Sequence, residues 1–75
     1  MNENKLIAIV IPVYNECRIL NQFYERLNSI VLSQKKYRWE FIFVNDGSSD
    51  KSLDILNYIA QRDLKVTVLD LSRNF

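Results

Sequence analysis

Pro12, Tyr14, Glu16, Asp46, Gly47 and Arg73 each stand just behind a run of apolar sequence, and each has a chemistry of its own. The Tyr14 ring can stack on a planar base, with the flat, NH-less Pro12 bordering the slot. Asp46 can accept a short, charge-assisted hydrogen bond from a base N–H. Glu16 can accept from ribose hydroxyls, and Arg73 can neutralise phosphate oxygens. Gly47, the only glycine in the chain, permits a backbone conformation or close approach that a side chain would block. Taken singly, each residue also has a plain structural use. Asp46-Gly47 is a turn dipeptide, and Ser48-Ser49-Asp50 can cap a helix. Tyr14 can be packing, Glu16 an acid in a first helical turn, and Arg73 a surface charge. A binding role requires that the surrounding elements bring all six to one place.

Three runs have strand length and are rich in β-branched and aromatic residues: Leu6 to Ile11, Trp39 to Val44 and Val66 to Leu71. The first two are nearly continuous in apolar character, as suits strands of a parallel sheet. Between them, Leu20, Phe23, Tyr24, Leu27, Ile30 and Val31 recur at helical spacing, as do Leu53, Leu56, Ile59 and Ala60. Both segments predict amphipathic helices. Pro12 is expected to close the first strand. Ser49 is expected as N-cap of the second helix, with Asp50 in its first turn.

The resulting order, βαβαβ, implies an α/β fold with right-handed crossovers between parallel strands. Two crossovers in the same direction give the sheet order 3-2-1 and place both helices on one face. The other face is then bare and apolar, which is unfavourable in water. The expectation is that missing C-terminal sequence or a partner covers it, so that residues 1–75 are the truncated, incomplete opening of a larger domain. Ligands of open α/β sheets bind at the carboxyl ends of the strands. Those ends are Pro12 to Glu16, Asn45 to Asp50 and Ser72 to Phe75, and together they form one rim carrying all six residues.

Composition removes several rivals. Ten basic residues against nine acidic ones leave a net charge of +1 over 75 residues, without the positive surface that nucleic-acid binding needs. With one cysteine and no histidine, an internal disulfide, a His-dependent triad and a Cys/His zinc site are all excluded. Cys17 reads as a passive helix residue in a reducing, cytoplasmic compartment. A single glycine rules out both G-x-G-x-x-G and the P-loop. Nucleotidyltransferases of similar shape carry a glycine-rich loop after the first strand, which this sequence lacks. A receiver-type phosphoacceptor site wants clustered acids after the first strand, where Glu16 stands alone. No apolar run approaches the roughly 20 residues of a membrane-spanning helix.

Ile9-Val10-Ile11-Pro12-Val13-Tyr14-Asn15-Glu16, followed about thirty residues later by Phe43-Val44-Asn45-Asp46-Gly47-Ser48-Ser49-Asp50, closely resembles the start of the family 2 inverting glycosyltransferases of the GT-A fold. Leu71-Ser72-Arg73-Asn74-Phe75 is similar to the subgroup with polyprenyl phosphate acceptors, the bactoprenol glucosyltransferases and dolichyl-phosphate mannosyltransferases. The resemblance runs from Leu6 to the last residue and implies a GT-A, Rossmann-like nucleotide-binding domain. It further implies a UDP- or GDP-sugar donor, with Pro12, Tyr14 and Glu16 lining the nucleoside pocket, Asp46 on the base and Arg73 near the diphosphate, and Gly47 is counted with them as a substrate-binding residue for its close approach. Where the family often has a second acid this chain has Asn45, which the polyprenyl subgroup tolerates.

The same resemblance implies a divalent metal, Mg or Mn, held by an Asp-x-Asp motif beyond this sequence, together with a later acidic base and C-terminal membrane helices. No catalytic or metal-ligating residue is therefore expected within residues 1–75, and the chain alone is expected not to transfer sugar. The longer protein is expected at the cytoplasmic face of a membrane, moving a hexose to a polyprenyl phosphate. The alternative expectation is a catalytically inert remnant, or a fragment that binds nucleotide weakly or serves only in interaction.

Overall fold

The three apolar runs form one parallel sheet in the computed structural model, which describes residues 5–71. The elements are β1 (Lys5–Val13), α1 (Leu20–Leu32), β2 (Tyr37–Asn45), α2 (Ser52–Arg62) and β3 (Val66–Asp70). The sheet order is β1-β2-β3, so β2 lies in the centre. Lys5 pairs with Tyr37 and Val13 with Asn45, while Phe41 pairs with Val66 and Asn45 with Asp70. The carboxyl ends of all three strands are therefore level.

Period-two alternation decides what each face does. Phe41 and Phe43 of β2 are fully buried, beside Val13 and Val66, under Leu20 and Val31 of α1 and Leu56 and Ile59 of α2. Both helices thus lie on one face. Burying each phenylalanine contributes about 1.5–3 kcal/mol. On the opposite face Leu6, Val10, Leu69 and Leu71 are all about half exposed or more. Ile42 and Val44 between them are only partly buried, so this face is open and apolar, as the strand order demands.

Three local details depart from expectation. β1 does not stop at Pro12 but runs through it to Val13. The Val13 carbonyl accepts from the Asp46 N–H at 2.9 Å, so the alternate residue Pro12 turns its nitrogen to the free edge, where a missing N–H breaks no rung. The α1 stripe is narrower than its spacing suggests: Leu20, Tyr24, Leu27 and Val31 join the core, whereas Phe23 and Ile30 remain exposed. Ser49 does not cap α2, whose N-cap position is Lys51 with no side-chain cap. Asp50 precedes the helix and its Oδ1 accepts from the Ser52 N–H at 2.8 Å.

At the far end of the molecule Tyr24 joins the two helices. Its ring meets Phe41 edge-on at 6.4 Å, and its hydroxyl donates to Asp63 Oδ2. Asp63 also accepts from the Lys65 N–H at 2.9 Å and pairs with the Lys65 ammonium at 3.1 Å. Burial, helped by the Asp63 carboxylate, pushes the Tyr24 phenol up to about 12. Burial opposes ionisation of Asp63, but the hydrogen bonds from Tyr24 and Lys65 prevail and hold its carboxyl below the usual range.

Candidate functional site

Because Val13 and Asn45 are in register, Tyr14 and Asp46 leave neighbouring strand ends side by side, roughly 4.8 Å being the spacing of adjacent strands. Tyr14 is 61% exposed, and Asp46 is half-buried. Gly47 has φ of 72°, a conformation that favours glycine. Pro12 and Glu16 line a small groove of about 230 Å³ at the free edge of β1, together with Ile11, Ile19, Leu20 and Phe23. Glu16 Oε1 accepts from the Tyr14 N–H at 3.3 Å, which folds the acid back over its own turn. Five of the six expected residues thus stand at the carboxyl end of the sheet; Arg73 lies outside the described residues. Pro12 and Glu16 share the groove, while Tyr14, Asp46 and Gly47 crown the adjoining strand ends.

What the sequence did not reveal is how these tips are held. Asn15, in the left-handed region at φ 49°, offers its Oδ1 to the Ser49 N–H at 2.7 Å and the Asp50 N–H at 3.3 Å. Its own N–H donates to Ser48 Oγ at 2.9 Å. In return, the Glu16 N–H donates to Ser52 Oγ at 3.0 Å and the Cys17 N–H to Asp50 Oδ2 at 3.2 Å. Each loop therefore supplies acceptors to the backbone N–H groups of the other. Neither helix has a side-chain cap at its own N-cap residue, and this exchange satisfies donors on the approach to both. The hydrogen bonds from Ser52 foremost, then from Cys17, lower the Asp50 carboxyl to about 2.

Asn45 completes the arrangement from below. It is 2% exposed, and its Nδ2 donates to Asp70 Oδ1 at 3.0 Å, binding the end of β2 to the end of β3. Its Oδ1 has no partner among the described residues. Ser48, Ser49 and Asp50 read in sequence as cap chemistry, and Asn15, Asn45 and Ser52 carry no local signal of their own. Only partners distant in the chain, 33 to 36 residues away between the two loops and 25 residues away for Asn45, tie them to these strand tips.

Among the described residues no group of three or more Cys, Asp or Glu side chains can hold a metal ion. A larger groove of about 490 Å³, lined by Lys35, Tyr37, Arg38, Trp39 and Leu64 among others, lies at the amino-terminal ends of β2 and β3. It contains none of the tip residues. No helix of the described residues is long and apolar enough to cross a membrane.

The family model of glycosyl transferase family 2 matches residues 8–75. The chain is 43% identical over all 75 residues to the uncharacterized glycosyltransferase YkcC of Bacillus subtilis (strain 168), of which it covers 23%. Across 92% of its length it is 38% identical to a prophage bactoprenol glucosyl transferase homolog of Escherichia coli (strain K12), covering 22% of that protein. Across 95% of its length it is 40% identical to the undecaprenyl-phosphate 4-deoxy-4-formamido-L-arabinose transferase of Pseudomonas syringae pv. syringae (strain B728a), covering 21%. The chain spans about a fifth of the length of these relatives.

Proposed function

This chain belongs to glycosyl transferase family 2, and from that premise we propose that it forms the donor-nucleotide-binding part of an inverting glycosyltransferase that moves a hexose from a UDP- or GDP-sugar to a polyprenyl phosphate. The observation that carries the reading is the pairing of the two tips. An exposed tyrosine and a carboxylate leave adjacent, registered strand ends, and side-chain hydrogen bonds lock their loops together. An aromatic face beside an acceptor suits a nucleobase, since stacking is tolerant of base identity while the carboxylate selects for an N–H. Relatives named for bactoprenol and undecaprenyl phosphate support the acceptor class.

In this scheme Tyr14 stacks on the base, Asp46 accepts from it, Glu16 takes ribose hydroxyls and Arg73 meets the diphosphate. Gly47 keeps the approach to the base open. The divalent metal, Mg or Mn, would be held by residues of the longer protein, and no step here is routed through it. The 75-residue chain binds donor nucleotide without turning it over, and the whole protein works at the cytoplasmic face of a membrane. There its open apolar sheet face is covered by further sequence or a partner.

Calorimetric titration of the chain with UDP, GDP and ADP, with Mg²⁺ or Mn²⁺ and again with chelator, tests the reading. Micromolar binding of UDP or GDP is expected, with Tyr14→Ala and Asp46→Asn each weakening it about tenfold. A folded chain, by circular dichroism, that binds none of the three nucleotides would sink it.

A further inference from the structure

The sheet by itself brings Tyr14 and Asp46 only to the starting points of their loops. Between β1 and β2 the parallel ladder continues to one bond past the strands, Asp46 N–H to the Val13 carbonyl at 2.9 Å. Beyond that rung, the loop carrying Tyr14 and Glu16 and the loop carrying Asp46 and Gly47 are joined through side chains. Asn15 is the centre of these contacts. Its Oδ1 takes two backbone N–H groups of the facing loop and the Ser49 hydroxyl at 3.4 Å, while its own N–H reaches Ser48 Oγ.

The backbone of Asn15 matters as much as its amide. A φ of 49° is costly for most residues, and asparagine is among the few that enter this region readily. That turn places Tyr14 on one side of the clamp and Glu16 on the other, at the point where the chain reverses from β1 toward α1. Ser52 and Asp50 then fix the Glu16 and Cys17 N–H groups from the opposite loop. Asn15 therefore ties together both loops that bear the proposed ligand contacts, while standing outside the set of contacts itself.

We propose that Asn15 is the positioning residue of this site, its side-chain carbonyl setting the spacing between Tyr14 and Glu16 on one loop and Asp46 and Gly47 on the other so that they close on one nucleoside diphosphate. This rests on the nucleotide-binding reading above and adds a residue to it. A preset spacing lowers the ordering cost that binding would otherwise carry. Removing the acceptor leaves the Ser49 and Asp50 N–H groups to water and lets the two loops separate without disturbing the core under Phe41 and Phe43.

The test uses the complete chain and three substitutions. Asn15→Gly keeps the left-handed backbone and deletes the acceptor; Asn15→Asp keeps both; Asn57→Ala, on the exposed face of α2, is the control. Calorimetry with UDP and GDP is paired with amide hydrogen exchange. For Asn15→Gly we expect about tenfold weaker binding, faster exchange at Ser49 and Asp50, and unchanged exchange at Phe41 and Phe43. Asn15→Asp is expected to recover part of the affinity, and Asn57→Ala to bind as the original chain does. Wild-type affinity in Asn15→Gly despite faster exchange at Ser49 and Asp50 would overturn the positioning role alone. A loss of affinity matched by faster exchange throughout the core would overturn it too, reducing Asn15 to a stability residue. Absence of nucleotide binding by the unsubstituted chain would instead overturn the functional reading, and this inference with it.

Discussion

Asn45 stands where a carboxylate would meet another carboxylate. Its amide donates to Asp70 at 3.0 Å in a position 2% exposed, and an acid there would replace attraction with repulsion at hydrogen-bonding distance. Asn45→Asp is expected to destabilise the chain by about 1–3 kcal/mol at pH 7. The repulsion raises a folded-state carboxyl above its unfolded value, so the loss is smallest at low pH and grows as pH rises through that raised value. Urea unfolding at pH 4.5 and pH 7 measures this; an equal cost at both values would show that charge is not the cause. Asp50 has the opposite sign. Its carboxyl is lowered from 3.8 to about 2, so the bonds it accepts from Ser52 and Cys17 are fully present above pH 4 and are lost as pH falls toward 2. Protection of the Cys17 and Ser52 amides, relative to their intrinsic exchange rates, is expected to fall over that interval ahead of protection at Phe43.

At the scale of elements, Tyr24 of α1 and Asp63 after α2 form the second link between the two helices. Burial and the Asp63 carboxylate move the Tyr24 phenol from 10.0 to about 12. A raised folded-state value gives stability that is present below pH 10 and is lost as pH rises toward 12. Tyr24→Phe is expected to remove that part of the alkaline fall, measured as the difference in urea midpoint between the two chains at pH 9 and pH 11.5. The elements themselves were legible because their signals are local. Phe41 and Phe43 alternate with Ile42 and Val44, and Leu20, Tyr24, Leu27 and Val31 repeat at helical spacing. The clamp was not legible in the same way. Ser49 and Asp50 carry capping chemistry in any context, but local rules assign a cap to its own helix, whereas here Asn15 and Asp50 exchange caps between loops that meet only after the sheet has formed. Pro12 departs from expectation for a related reason: whether proline ends a strand depends on which side its nitrogen faces, and only the ladder with β2 reveals that side.

At the largest scale, the described residues form one layer of helices on one sheet. Its covered face holds Phe41, Phe43, Leu56 and Ile59 nearly free of solvent. Its other face presents Leu6, Val10, Leu69 and Leu71 at 49–62% exposure. Glu40 and Thr67, hydrogen-bonded to each other, interrupt it, but apolar side chains exposed on an open sheet face promote association. Leu69→Lys is expected to shift the chain toward monomer in sedimentation velocity while changing stability by no more than about 0.5 kcal/mol. An unchanged distribution of species would show that this face does not drive association. The chain spans about a fifth of the length of its curated relatives.

The central claim is that one nucleoside diphosphate is gripped across those tips. Its most direct measurement is a nuclear magnetic resonance titration of the ¹⁵N-labelled chain with UDP and GDP. Amide shifts are predicted at Tyr14, Asn15, Glu16, Asp46, Gly47 and Ser48, with Tyr37, Leu64 and Lys65 at the opposite end unmoved. Perturbations confined to that opposite groove, or on only one of the two loops, would contradict it.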